Sequence, residues 1–362
     1  MMISNLPKEL VEEILSRVSF KDLRAVRFTC KNWNAITKDR SFANKQIEKV
    51  AASSSSPGEN QFVMITKFNI YLIGVNLLRT QNNDFDLSIK RNGTLVGFNS
   101  SLEAFHKSSQ VIHCNGVFLC VWGNMLVLWN PYWRKTKWFL PRHSYGGSDL
   151  YALGYDKFSG SHKILRFFGP NRDKLDFYDL SSNSWSVPDG TLEWDMKHTK
   201  SSVSLKGNTY WCAIDEESGD YYLFCFDFTS ERFGPPLSLP LTHEGHVYLS
   251  AVKEEKLAVL IKMWNTMEIW VTNKIEPDEV SWSIFLKVDM ETRLQIGSFL
   301  VDEEKKVAVV FHQDRSRSKR IYNNAYIIGE NGYFKRVDLR KSPYTPLSPF
   351  KCSYVLSSVQ IK

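Results

Sequence analysis

Three carboxylates, Asp156, Asp179 and Asp227, recur along the chain at a spacing that looks like one per structural repeat. Carboxylates drawn together from successive repeats could share a metal ion or do general acid–base work. A plainer use is available to each of them. An Asp at or just before a turn accepts hydrogen bonds from backbone N–H groups further along the chain, and all three stand in such places. No G-x-S-x-G elbow, H-E-x-x-H pair, phosphate-binding loop or repeated Asp-box of the sialidase type occurs in the sequence. The eight histidines show no ligand spacing; His243 and His246 are expected in a solvated loop. The six cysteines (Cys30, Cys114, Cys120, Cys212, Cys225, Cys352) never form a C-x-x-C pair and are expected as reduced, mostly buried thiols. No cofactor, no metal and no catalytic residue is therefore expected in this chain.

The basic run Arg315-Ser316-Arg317-Ser318-Lys319-Arg320 has two compatible uses. It could serve nuclear import or an acidic partner, or it could be a solvated loop between strands at Val307–His312 and Ile321–Ile328. The net charge of +7 comes from 46 basic and 39 acidic residues mixed along the whole chain, too weak an excess to argue for nucleic acid.

What would position these residues is a small helical module followed by a large all-β domain. Over residues 3–47 apolar side chains recur at helical steps. Ser4 or Asn5 could cap a first helix, with Pro7 in its first turn and Leu10, Val11, Ile14, Leu15 and Val18 along it. Ser19 and Asp22 suit the start of a second helix with Leu23, Val26 and Cys30. A third would hold Trp33, Ile36 and Phe42. A module of roughly 45 residues without disulfide or metal lies near the lower limit of independent folding. Its apolar positions cover more than one face of each helix, so part of that surface is expected to be completed by another protein. The competing expectation, that the helices pack on the β domain, is weakened by Ala51-Ala52-Ser53-Ser54-Ser55-Ser56-Pro57-Gly58, which has the composition of a flexible hinge.

Beyond the hinge, strands replace helices. The aromatic share of 14% favours pleated, half-buried surfaces. Ser108–Trp133 carries no charge, yet Asn115-Gly116, Gly123-Asn124 and Asn130-Pro131 break it into three buried strands rather than a membrane span. No secretory signal is expected, because Lys8, Glu9, Glu12 and Glu13 stand where an apolar stretch would lie, so a soluble protein of the cytoplasm and/or nucleus is anticipated. Turns at Cys114-Asn115-Gly116, Phe158-Ser159-Gly160, Lys206-Gly207-Asn208, Lys253–Lys256 and Asp302–Lys305 recur at roughly 45–50 residues, a spacing of propeller blades. Each repeat ends strand, polar turn, aromatic, at Trp138, Trp185, Phe233, Trp282 and Phe334. Residues 62–91 and a last strand in CSYVLSSVQI would make a sixth unit; if that strand joins the first blade, the ring closes without an open edge. The fold class is mostly β with a small α module: a three-helix unit and a β-propeller-like domain of about six blade-like units, a β-sandwich being the alternative.

Residues 3–42, ISNLPKELVEEILSRVSFKDLRAVRFTCKNWNAITKDRSF, resemble the F-box, with Leu6-Pro7, Leu10, Ile14-Leu15, Val18, Leu23, Cys30-Lys31, Trp33, Ile36 and Phe42 in their usual places. LGYDKFSGSHKILRF (153–167), DFYDLSSNSWSVP (176–188), SLKGNTYWCAI (204–214), LFCFDFTSERFGP (223–235), KLAVLIKM (256–263) and EIWVTNK (268–274) resemble the plant F-box-associated, kelch-like domain, without the Gly-Gly doublet of kelch repeats. The resemblance implies an F-box at 1–48, a Ser-rich linker at 49–60 and an interaction domain at 61–362. It implies a non-catalytic substrate receptor of a Skp–cullin–F-box ubiquitin ligase, bound to a Skp-family adaptor and through it to a cullin–RING core, and holding a protein target. Carried over by position, Leu6, Pro7, Leu10, Ile14, Leu15, Val18, Leu23, Val26 and Trp33 would meet the adaptor, though some of these must serve the module's own core. Target contacts are expected in loops at one end of the ring (142–149, 170–175, 189–199, 241–247, 313–320 and 341–350), with Arg142, His143, Arg172, Trp194 and Lys197 as candidates. The alternative is a free-standing protein- or glycan-binding scaffold. DNA binding by the helices is disfavoured, because Arg24, Arg27, Lys31, Lys38 and Arg40 form no single reading face.

Overall fold

A computed structural model of the chain describes residues 6–361 apart from 19–21, 54–58, 66–68, 81–83, 98–109, 123, 131, 134, 144–148, 189–201, 215–217, 241–244, 290–293, 315–321, 339–351 and 354–356. The basic run 315–320 lies outside the described residues, as do Ser4, Asn5 and Ser19.

Among the described residues the helical module has four helices, one more than expected: α1 (Lys8–Ser16), α2 (Leu23–Arg27), α3 (Lys31–Lys38) and α4 (Arg40–Ser53). Pro7 itself precedes the first helical residue, its fixed φ setting the entry. The Cys30 Sγ caps α3 by accepting from the Trp33 N–H at 3.4 Å. Asp39 opens α4, its carboxylate accepting from the Ser41 N–H at 2.8 Å. Phe42, expected on the third helix, sits on α4, where it is buried with Val11, Leu15, Leu23 and Ile36. The stretch read as a hinge is helical as far as Ser53, because Ala51 and Ala52 extend a helix better than any other residue.

The β domain consists of six antiparallel sheets among the described residues, so it is a propeller rather than a sandwich. The second blade is Gln110–Cys114, Val117–Trp122, Met125–Asn130 and Lys135–Phe139. The third is Leu150–Tyr155, His162–Phe168, Lys174–Asp179 and Ser184–Ser186. The fourth is Ser202–Leu205, Asn208–Ile214, Tyr221–Asp227 and Arg232–Phe233, with Leu237–Ser238 added beside its third strand. The fifth is His246–Val252, Lys256–Lys262, Thr266–Ile275 and Val280–Asp289; the sixth is Ile296–Asp302, Val307–Asp314, Tyr322–Gly329 and Phe334–Asp338. His246, expected in a loop, therefore starts a strand. The first blade joins both ends of the β domain: Cys352–Ser353 pairs with Glu59–Ile65, which pairs with Asn69–Arg79 and then Phe85–Gly97. That is the ring closure anticipated from the last strand.

Apolar layers between adjacent blades hold the ring. Leu257, Val259 and Ile261 of the fifth blade pack on Leu205, Tyr210 and Leu223 of the fourth. Val75, Leu77 and Phe85 of the first pack on Val307, Val309 and Phe311 of the sixth. Leu257–Ile261 is buried at every position because a blade strand is covered on both faces, which is why it reads as a continuous apolar run. Tight turns join the strands: Asn115 and Gly116, and Lys206 and Gly207, have positive φ, as two-residue hairpin turns require.

Strand alternation gives the ring two faces. Turns from first to second and third to fourth strands open on one, here called the near face; second-to-third turns and blade-to-blade connections open on the other, the far face. The helical module sits on the near face, contrary to the expectation of a loose hinge. Ala43 and Ile47 of α4 pack on Tyr132 and Trp133, in the third-to-fourth turn of the second blade. The Tyr132 hydroxyl donates to the Gln46 side chain at 2.8 Å, and the Arg27 guanidinium lies 5.6 Å from the Trp133 ring. No described helix is long and apolar enough to cross a membrane.

Candidate functional site

The first site is a strip of the helical module that its own core leaves uncovered. A step of four places Leu10 and Ile14 on one side of α1, while Val11 and Leu15 face inward; Leu6 stands before the helix, ahead of Pro7. Leu6 is 38% exposed, Leu10 51% and Ile14 49%, whereas Leu15 and Leu23 are 1% and 2% exposed. Pro7 is exposed as well. The nine residues implied for adaptor contact thus divide three ways. Leu6, Pro7, Leu10 and Ile14 present apolar surface; Val18, Val26 and Trp33 are half-buried against the core; Leu15 and Leu23 lie inside it and have no surface to offer. The sequence pattern could not divide them, because both sides of α1 are apolar. Phe28, at the end of α2, is 79% exposed and was not singled out. A large apolar ring in that state on a helix end adds apolar surface to the module. An ion pair ties α1 to α4: the Lys49 Nζ lies 2.7 Å from Glu13, and Arg17, at the end of α1 itself, lies 3.1 Å from the same carboxylate. Lys49 and then Arg17 hold the Glu13 carboxyl below its usual range.

The second site is the far face. The described strand ends flanking all six of the expected target loops open there. Arg142 and His143 are exposed, and Arg172 is half-buried with a φ of +56°. Trp194 and Lys197 lie outside the described residues. Beneath His143 is a fully buried guanidinium that sequence reasoning missed. Arg166 donates from Nε and Nη2 to Asp149 Oδ2 at 3.0 and 2.6 Å, and from Nη1 to Asp176 Oδ2 at 3.3 Å. It also donates to the His143 carbonyl at 3.3 Å. Arg166 therefore anchors both ends of the 142–149 connection; its signal in the sequence is a charge inside the apolar run Ile164–Phe168. Burial pushes the Asp176 carboxyl up, against the pull of His143 and Arg166. Its Oδ1 lies 4.0 Å from the His143 imidazole, which stacks on Phe168. Trp264, in the second-to-third turn of the fifth blade, is 81% exposed on the same face and was also missed.

The recurring carboxylates do not converge on a site. Asp156 accepts from the Phe158 N–H at 2.8 Å, Asp179 from Ser181 at 2.7 Å and Asp227 from Thr229 at 2.9 Å, each closing its own turn. No group of His, Cys, Asp and Glu among the described residues could hold a metal ion.

A small helical module with an uncovered apolar strip, carried on one face of a six-bladed propeller, defines the architecture of an F-box protein. Comparison with known families agrees along almost the whole chain. Residues 3–45 match the F-box domain and residues 61–361 match the F-box associated beta propeller domain. The chain belongs to this family of plant F-box proteins. It is 61% identical to an F-box/kelch-repeat protein of Arabidopsis thaliana, over 98% of this chain and 100% of that one. It is 49% identical to an F-box protein of the same plant, over 99% and 100%, and 42% identical to another F-box/kelch-repeat protein, over 99% of each. Among solved structures, oligogalacturonate lyase from Vibrio parahaemolyticus aligns with a TM-score of 0.40 and 6% identity, over 77% of this chain and 79% of that one, too distant to inform on this chain.

Proposed function

We propose that this chain is the substrate-recognition subunit of a Skp–cullin–F-box ubiquitin ligase. The F-box binds the Skp adaptor, which hangs from a cullin–RING core, and the propeller holds a protein target. The observation that carries this is the uncovered strip of Leu6, Leu10 and Ile14, with Phe28 exposed at the end of α2, on a family-matched F-box. Helix-borne apolar anchors of this kind supply most of the affinity at such interfaces. In this account the adaptor takes Leu6, Pro7, Leu10, Ile14 and Phe28, and Val18, Val26 and Trp33 contribute where their edges emerge. The target is read at the far face, where Arg142, His143, Arg172 and Trp264 stand; Trp194 and Lys197 belong to connections flanked by the same face. Ubiquitin transfer is done by partner subunits, and this chain contributes proximity, raising the effective concentration of target lysines near the charged conjugating enzyme. Functional boundaries of 1–48, 49–60 and 61–362 go with this division of labour.

The test is co-purification of the full chain with a Skp adaptor and cullin, beside Leu6→Ala/Pro7→Ala. The unaltered chain should retain both partners and the variant neither, with the β circular dichroism unchanged. Retention by neither protein would leave a scaffold that binds targets without ligase partners.

A further inference from the structure

The residues after the last strand lie where the helical module, the second blade and the ring closure meet. Asn130 ends the third strand of the second blade and is fully buried. Its side-chain amide donates to the carbonyls of Ser357 at 3.1 Å and Val359 at 2.7 Å, and its Oδ1 accepts from the Tyr132 N–H at 2.8 Å. One buried amide thus holds segment 357–361 on one side and shapes the Tyr132–Trp133 turn on the other. The Trp133 indole then donates to the Ser358 carbonyl at 3.0 Å, while Ile361 is buried among the core side chains of the second and third blades. Gly116 lets the segment lie close, since a Cβ there would stand 2.2 Å from the Ser357 Cβ.

From this seat the segment reaches the helical module. The Ser358 hydroxyl donates to the Asn44 side-chain oxygen on α4, and the Gln360 amide donates to the Lys38 carbonyl at the end of α3 at 2.9 Å. Together with Ala43 and Ile47 against Tyr132 and Trp133, these bonds hold α3 and α4 of the module to the segment and to the second-blade turn. A linker alone would leave the module free to swing. Hydrogen bonds that leave a joint from different directions remove that freedom.

We propose that segment 357–361, seated by Asn130, is a lock that fixes the F-box module rigidly against the near face of the propeller. Asn130 is its positioning residue, and Asn44 and Gln360 are its contacts on and towards the module. The consequence, a fixed distance between the adaptor strip and the far-face loops, rests on the function proposed above; the lock itself does not.

The full chain tests it with two variants. Asn44→Ala/Gln360→Ala removes the segment's two side-chain links to the module at exposed residues and spares the blade cores. Asn130→Asp keeps the side-chain shape but replaces both donors with an oxygen facing two carbonyls. Amide exchange across α4 and the 130–133 turn is read by mass spectrometry, and the maximum dimension by small-angle X-ray scattering. In the double variant α4 should exchange roughly tenfold faster, the effect of losing one or two such bonds, and the maximum dimension should grow while the propeller melts as before. Asn130→Asp should do the same and also deprotect the 130–133 turn. Should Asn130→Asp unfold the second blade, the double variant decides alone. Exchange within twofold of the unaltered chain, with scattering unchanged, in the double variant would overturn the lock. Loss of adaptor binding in the unaltered chain would overturn the proposed function and leave the lock standing.

Discussion

Replacing Leu10 and Ile14 together by alanine separates the adaptor strip from the module's core more sharply than any other change. About half of each side chain is exposed, so a partner that covers the strip buries that half. Burying a whole Leu or Ile side chain stabilises by about 1.5–3 kcal/mol, so the exposed halves contribute about 1 kcal/mol each, and more where the partner fills the space closely. Losing about 2–3 kcal/mol of binding weakens the complex roughly 30- to 150-fold. The inner halves of these side chains touch few core residues, so α1 should keep its helicity and the module its melting temperature within a few degrees. Leu15→Ala makes the contrast. Leu15 is 1% exposed amid Val11, Leu23, Ile36 and Phe42, and emptying such a site costs about 2–5 kcal/mol, comparable with all the stability a module this small can muster. That variant should bind weakly because it unfolds, and its helical circular dichroism should fall with its affinity. Titration calorimetry against the Skp adaptor, paired with thermal melts, reads both quantities. Leu10→Ala/Ile14→Ala binding within twofold of the unaltered chain, or melting as early as Leu15→Ala, would refute the assignment of outer and inner sides.

Other expectations are independent of the adaptor. Arg166→Met should destabilise the third blade by about 3–5 kcal/mol, because it leaves Asp149 and Asp176 buried without their shared cation; Asp176→Asn should cost far less, and chemical denaturation compares the two. Gly154→Ala should fail to give a stable propeller, since its Cβ would stand 2.1 Å from Phe228 and 2.4 Å from the Gly207 carbonyl oxygen, and soluble yield and β circular dichroism report it. Burial lowers His113 to about 3 and His162 to about 4, while it raises Glu254 to about 7. Between pH 6.5 and 4.5 the unfolded chain then binds two more protons at the histidines and the folded chain one more at Glu254. Stability should fall with acid across that window, by on the order of 1 kcal/mol per pH unit, and His162→Gln should flatten the slope in denaturation curves taken at several pH values. Trp264→Ala should leave the melting temperature unchanged and reduce target capture at the far face, read by comparing proteins retained by the two chains.

Much of this architecture is visible in the sequence for physical reasons. A buried blade strand must be apolar on both sides, so Leu257–Ile261 and Val117–Val121 declare themselves, and each hairpin needs residues that tolerate positive φ, as at Asn115-Gly116. The carboxylates at 156, 179 and 227 follow from turn chemistry in the same way. The adaptor strip is half legible. The periodicity finds α1, but Leu10 and Leu15 are chemically alike, and it is the packing of α3 and α4 that decides which one is covered. The Ala-Ala-Ser stretch suggests a hinge by its small residues and is helix as far as Ser53, because alanine readily continues a helix already nucleated and docked on Tyr132 and Trp133. Asn130 looked like the first half of a turn dipeptide; nothing local shows that its amide holds a segment more than two hundred residues away. Arg166 is hidden for the same reason, since the two carboxylates that make it tolerable in a core lie outside its own strand.

In the proposed function this chain joins an adaptor on its near side to a target on its far side. Size-exclusion chromatography with light scattering, on the full chain mixed with a purified Skp adaptor, tests the joining end most directly. A one-to-one complex that survives the column, and that Leu6→Ala/Pro7→Ala or Leu10→Ala/Ile14→Ala dissolves, is the predicted result. Two separate peaks from the unaltered chain, with its circular dichroism intact, would contradict it.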